Sequence, residues 1–314
     1  MRGPRLSDPV VLGNAAAAGS TLAWVLAFPV TELLLAGWDP LALAAVRLLG
    51  AGLLLSGLLS LSWRRRELRW VPWGRVLQVG GIGIGISAFT LVLGQHWSGP
   101  VTAAIVATTT PALSVLYHWW TDGERPRPHM LAGVVLSVAG AILASVRPFG
   151  GDPGLRGGEP LLLTAFLWVW YSRASMVHLP GLSDLSRAAL ATVAGGLVLV
   201  LIVGLATLAG IGPLRVEWSV ARLGQLALLV VAVAASGGLW MPAVRLLGVT
   251  LASMHLNLAP LYVILLSLPV GVHPTPGQIA GALLVVAGTT LAQWPRPREE
   301  PAEAEPAEEE RRAA

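Results

Sequence analysis

The sequence predicts an all-α integral membrane protein with ten transmembrane helices, arranged as two inverted five-helix repeats. Three observations carry that reading. Hydrophobic residues make up 54% of the 314-residue chain and charged residues 12%, a balance that cannot build a water-soluble surface and places the chain in a bilayer. A segment also repeats: GERPRPHMLAGVVLSVAGAILA at 123–144 returns at 271–292 as GVHPTPGQIAGALLVVAGTTLA, with the same glycine, the same two prolines one residue apart, and the same Ala-Gly and Val-Ala-Gly steps. Finally, the arginines gather in alternate turns, so one side of the membrane is basic. A duplicated bundle of apolar helices is the usual build of a secondary transporter, with its site where the halves meet.

Taken in order, apolar runs long enough for the roughly 20 residues that span the hydrocarbon fall near 10–34, 40–62, 71–94, 98–119, 128–146, 159–178, 184–208, 220–241, 249–270 and 276–294. The first run is not expected to be cleaved. Its small-residue stretch, Ala15 to Ala18, follows almost no apolar segment, and the apolar run continues well beyond it. The third carries GGIGIG at Gly80 to Gly85, whose Gly81 and Gly85 lie one turn apart and suit close helix approach. It lacks the strand and lysine of a phosphate-cradling loop.

The expected organisation is a cytoplasmic N-terminus (1–9), a first repeat (10–147), an extracytoplasmic connector (148–158), a second repeat (159–294) and a disordered acidic cytoplasmic tail (295–314). The tail holds seven of the seventeen acids and no apolar periodicity. Every basic residue is arginine. Fourteen of them, among them Arg64, Arg65, Arg66, Arg125 and Arg245, fall on the side that receives both ends, which predicts cytoplasmic termini in a multi-pass cell-membrane protein. Five helices per half then invert the second repeat. The chain has no cysteine, so disulfides and thiolate metal sites are excluded. The arginines are scattered over membrane-proximal turns, which suits anionic lipid headgroups and argues against nucleic acid. The expected partners are a small-molecule substrate and the lipid bilayer, with a homodimer left open; no cofactor or metal is expected.

Nine of the thirteen tryptophans fall at helix ends or turns, as aromatic-belt anchors do. Trp24 and Trp168 instead take matching mid-helix positions in the two repeats, and Trp240 is expected near a helix end. The fourth and ninth helices each carry a central proline: Pro111 after Thr108, Thr109 and Thr110, and Pro260 after His255 and Asn257. Each proline kinks its helix and frees a carbonyl, that of Ala107 or Leu256, and such irregular backbone is tolerated at membrane depth against protein or a wet cavity. The threonine hydroxyls can satisfy the freed carbonyls themselves. Arg47 comes seven positions into the second helix, about 10 Å along it, and needs a counter-charge. Glu32 and a substrate's carboxylate or phosphate are the candidates for gating or charge pairing, and a purely structural pairing of Arg47 with Glu32 or with a backbone carbonyl is the alternative.

The two five-helix halves, the spacing from Trp24 to Pro40 and Arg47, mid-helix Pro111 followed by Gly123-Glu124-Arg125, and the echo at Pro260 and Gly281 resemble the EamA family of the drug/metabolite transporter superfamily over residues 10–294. The resemblance implies ten helices with both ends inside and movement of small metabolites such as amino acids or amphipathic drugs, commonly outward. Two positions depart from the family pattern: Thr31 stands where a basic residue is common, and Val272 where a glutamate follows the glycine.

The expected mechanism is alternating access around a cavity lined by helices 1, 3, 4, 6, 8 and 9. Trp24, Trp168 and Tyr171 would supply its walls, and Thr108, Thr109, Asn257 and His255 its hydrogen bonds. Such a transporter is not an enzyme. A multipass enzyme acting on lipids would need an acid/base pair or metal cluster near an interface, and the six histidines are dispersed. A non-transporting sensor or assembly subunit would insert in the membrane without moving a solute.

Overall fold

The computed structural model describes residues 8–123, 125–145, 157–211, 214–271 and 273–292. The acidic tail, almost all of the connector, most of the N-terminal segment, Glu124 and Val272 lie outside the described residues. The helices are α1 (Pro9–Leu35), α2 (Pro40–Leu61), α3 (Trp73–Ala107), α4 (Thr110–Asp122), α5 (Pro128–Ser145), α6 (Gly158–His178), α7 (Asp184–Leu208), α8 (Val220–Ser253), α9 (Ala259–Ser267) and α10 (Pro276–Ala292). Among the described residues there is no strand, only one isolated bridge between Trp38 and Val216. Among the described residues five stretches are long and apolar enough to cross a membrane: α1, α2, α3, α7 and Val220–Leu266.

Local signals explain the boundaries. Asp8, Asp39 and Ser183 cap α1, α2 and α7, their side chains accepting from Val10 N, Leu41 N and Ser186 N, which satisfies donors the first turn leaves open. Proline follows the cap in α1 and α2, where its missing N–H costs nothing. Within α3, residues 78–86 wind as a π-helix. That stretch holds the GGIGIG run, and its glycines meet α7: an added Cβ at Gly80 would come 2.5 Å from Ala191 O, and one at Gly85 3.1 Å from the Gly195 backbone.

Two expected boundaries move. The gap expected between residues 94 and 98 is instead a break inside α3 at Gly99 (φ 82°, ψ 169°), and the eighth helix runs through Pro242 to a matching break at Gly248 (φ 78°, ψ 163°). This backbone region is essentially open to glycine alone. Glycine therefore sets the joints, while Pro242 is carried inside the helix and Pro100 directly follows the Gly99 break. Trp240 consequently lies well inside α8 and not near a helix end.

The packing obeys an exchange of halves. Gly52 on α2 meets the Val193 backbone on α7, and Gly196 on α7 meets the Leu49 backbone on α2. Gly13 on α1 meets Leu247 on α8, and Gly157 at the head of α6 meets Ser98 on α3. The tightest example joins α5 to α10: an added Cβ at Gly140 would sit 2.7 Å from Gly281 O, one at Gly281 2.6 Å from Gly140 O, and one at Gly288 2.6 Å from Gly133 O. In a membrane, helices associate through such close backbone approach, because lipid tails are as apolar as leucine.

Loops fasten both ends of the bundle across the repeats. At the end where α1 finishes, Asp39 N donates to Arg215 O at 2.7 Å, Glu217 N to Gly37 O at 3.1 Å and Trp38 Nε1 to Glu217 O at 2.9 Å. Arg222 adds bonds to Leu33 O at 3.2 Å and to Glu217 Oε2 at 3.0 Å. At the other end, Arg173 pairs with Asp122 and Glu67 Oε2 accepts from Ser183 N at 2.8 Å and Ser186 Oγ at 2.7 Å across the repeats, while Arg245 pairs with Asp184 at 2.7 Å within the second.

Two outcomes follow. Gly140→Val should destabilise the protein by about 1–3 kcal/mol through overpacking. Gly57→Ala, with nothing within 4 Å of its added methyl, should leave the thermal unfolding midpoint in detergent unchanged or raised, since alanine is the better helix former. Separately, Arg215 first and Arg222 after it hold the Glu217 carboxyl below its ordinary value of 4.5. A carboxyl lowered on folding adds stability above its unfolded value and loses it as pH falls through its folded value. The unfolding midpoint of wild type minus that of Glu217→Gln should therefore be constant above about pH 5 and shrink in acid; a difference that grows in acid would contradict the clasp.

Candidate functional site

The helices leave a central cavity with an empty volume of about 970 Å3, including the part open to solvent. Both repeats build it. Trp24 and Phe28 on α1, Trp168 and Tyr171 on α6, and Trp240 on α8 form its aromatic walls. The rings hold one another: Trp24 meets Phe28 edge to face at 4.6 Å, and Trp168 lies 5.5 Å from Tyr171 and 5.4 Å from Trp240. Trp240 Nε1 donates to Ser172 Oγ at 2.9 Å, and that hydroxyl donates to Trp168 O at 2.7 Å. An indole buried in lipid needs a partner for its N–H. Here the partner is the chain itself, so the ring is held in place at the cavity border. The helices that line it include all of those expected, with α2 and α7 joining through Arg47, Leu48 and Thr192.

The proline-containing segments show how local chemistry decides what a side chain faces. Helix continuity stops at Thr108 and Thr109 and resumes at Thr110. Thr108 Oγ1 donates to Ile105 O at 2.6 Å, Thr109 Oγ1 to Val106 O at 2.7 Å and Thr110 Oγ1 to Ala107 O at 2.6 Å. The last bond takes up the carbonyl that Pro111 frees. Thr108 and Thr109 are fully buried but do not border the cavity; Thr110 and Ala107 do.

The symmetry-related segment, Met254–Leu258, is a short 3₁₀ turn before Pro260. Leu256 points to the cavity there, and its neighbours point away. His255 Nδ1 lies 3.3 Å from Ala252 O, and Asn257 Oδ1 accepts from Thr289 Oγ1 on α10 at 3.3 Å. Successive residues on a helical turn diverge widely, so a leucine at the centre carries both polar neighbours off axis.

Glu32 and Arg47 do not pair with each other. Glu32 Oε2 accepts from Gln95 Nε2 at 3.1 Å, and the same amide donates to Phe28 O at 2.8 Å. Arg47 Nη2 donates to Ala88 O at 3.2 Å. Gln95 borders the cavity, as do Ser20 and Ser236, which join α1 to α8 through Ser20 Oγ and Ser236 O at 2.9 Å. Thr164 borders it too and shares a 2.7 Å bond with Thr90. Sequence reasoning passed over Trp240, Gln95 and this serine pair. One signal was available for the serines: both lie at mid-span on apolar helices, where a hydroxyl needs a protein partner.

Among the described residues no group of three or more His, Cys, Asp or Glu side chains could hold a metal ion. As the described residues build it, the cavity is an aromatic, nearly neutral chamber with one guanidinium at its border.

Comparison with known proteins agrees with this architecture. A solved structure described only as "Crystal structure of protein" shares 22% identity with the chain at a TM-score of 0.63, over 90% of this chain and 96% of that one; it supports the fold alone. No curated protein matches the chain. The model of the EamA-like transporter family matches residues 11–146 and again 160–293, one match for each half of the exchange-related bundle. The chain therefore belongs to the EamA-like transporter family.

Proposed function

We propose that this protein is a secondary transporter that carries a small organic solute through a membrane by alternating access, in the export direction. The observation that carries the reading is the cavity itself, whose walls come from both repeats, with Trp24 and Trp168 on exchange-related helices. The glycine breaks support ten crossings, which put both ends on one side, and the arginine distribution supports the cytoplasm of a cell-membrane protein as that side. Trp73–Ala107 is 35 residues and Val220–Leu266 is 47, lengths of about 50 and 70 Å at 1.5 Å per residue, well beyond a hydrocarbon layer of about 30 Å. Each must fold back, and Gly99 and Gly248 are the points at which it does.

In this reading the cross-repeat fastenings are gates. The Trp38, Arg215 and Glu217 clasp closes one mouth, and the Asp122–Arg173 pair with the Glu67–Ser183 bond closes the other. Rocking of the inverted halves opens them in turn.

The test uses the natural absence of cysteine. Single replacements Ala27→Cys and Ala165→Cys, both at the cavity border, should react with a membrane-impermeant maleimide from either face of oriented vesicles. Reaction from one face alone under every condition would sink alternating access. Cells overproducing the protein should also accumulate a particular metabolite outside, and a Trp168→Ala, Trp240→Ala variant at equal membrane level should not. The milder Trp240→Phe change removes the bond to Ser172 together with part of a buried ring and should cost about 1–3 kcal/mol of stability, read as a lowered unfolding midpoint.

A further inference from the structure

A guanidinium is costly at membrane depth unless something answers its charge. Arg47 is only 5% exposed and borders the cavity. It makes one hydrogen bond, to a neutral carbonyl, and its Nε has no partner. Among the described residues, no carboxylate pairs with it. The nearest candidate by position on the fold, Glu32, is held by Gln95 instead.

Two further facts concern the same cavity. Thr31 Oγ1 is buried at its border and likewise lacks a partner, unlike Thr110 and Thr164, whose hydroxyls are engaged. In addition, among the described residues that line the cavity Arg47 is the one that is charged, with no aspartate, glutamate or histidine beside it. As the described residues build it, the cavity therefore carries a single uncompensated positive charge, with an unspent guanidinium N–H and an unspent hydroxyl, inside an aromatic wall.

We propose that the solute is an organic monoanion, a single carboxylate held by Arg47 and Thr31 on an apolar or aromatic body that packs against Trp24, Trp168 and Trp240. The proposal rests on the transporter reading and narrows it. A cation meets like charge in a low dielectric. A zwitterion brings an ammonium for which the wall offers no acid. A polyanion brings charges beyond the one that Arg47 can answer.

The experiment is equilibrium binding to the purified full-length protein by calorimetry at neutral pH, with three matched probes: 3-phenylpropionate, its neutral amide, and zwitterionic phenylalanine. The acid should bind best, and the amide roughly ten- to a hundred-fold more weakly, the span expected for a hydrogen-bonded charge. Arg47→Gln should bring the acid down to the amide's level. Arg47→Lys, which keeps the charge and loses the planar fork, should retain part of the preference. Thr31→Val, close in shape and without change of charge, should weaken the acid several-fold and serves as the readout if Arg47→Gln does not fold.

A role for Arg47 in structure alone would lower the unfolding midpoint and leave the acid-to-amide ratio unchanged; that result overturns the proposal. So does a wild type that binds the amide or phenylalanine as tightly as the acid, or that binds none of the three at millimolar concentration. The Ala27→Cys labelling is independent of solute charge. Two-sided labelling without acid preference removes this proposal and leaves the transporter reading standing, whereas one-sided labelling removes the transporter reading itself.

Discussion

The structure depends on backbones touching backbones. Where α5 crosses α10, and where α2 crosses α7, the helices approach so closely that a methyl group on either partner would collide with main-chain atoms. Lipid supplies no hydrophobic drive to bring the halves together, so close van der Waals contact between small residues has to do so. That requirement reaches the cavity. Because the seams sit where glycine permits, the aromatic residues on α1, α6 and α8 fall opposite one another at a set separation, and the space between them is what remains once the seams have closed.

A second constraint, that no polar group in hydrocarbon goes unanswered, sorts the side chains around that space. Hydroxyls at Ser20, Thr110, Thr164 and Ser172 are turned onto carbonyls or neighbouring side chains. The wall is therefore chemically quiet over most of its area, and recognition falls to shape and to the few groups left open. Polar residues near a membrane cavity are thus poor guides to binding until their local partners are known. Thr108 and Thr109 are complete within their own turn, and Asn257 is occupied by Thr289.

The parts of the fold legible in the sequence follow from long-range composition and repetition. The apolar runs located the helices to within a few residues for α1, α2, α6, α7 and α10, and the repeated glycine and proline pattern marked the mates α5 and α10 before any contact was seen. Trp24, Trp168 and Tyr171 stood out because bulky aromatics at mid-span are conspicuous in a chain of alanine, leucine and valine, and all three border the cavity. The remainder depended on helix phase. Whether His255, Leu256 or Asn257 faces inward turns on a rotation of about 100° per residue, and a proline with a 3₁₀ turn beside it upsets any phase extrapolated from the flanking helices. Trp240 was obscured in a different way: Pro242 reads as a helix end, although α8 continues through it and breaks six residues later at Gly248. The partners of Glu32 and Arg47 lie on α3, remote in sequence, so no spacing rule could supply them.

One small contact carries a historical consequence. Ser137 on α5 donates to Val285 O on α10 at 3.5 Å, and these two positions are counterparts in the repeated segment, so each meets its own image across the exchange axis. In an assembly of two identical halves such a position is tied to itself, and any mutation there happens twice in one place. Joining the halves into one chain dissolves that tie. A serine can then face a valine, and polarity can be introduced on one side of the seam alone, so that the two halves need no longer be chemically equivalent.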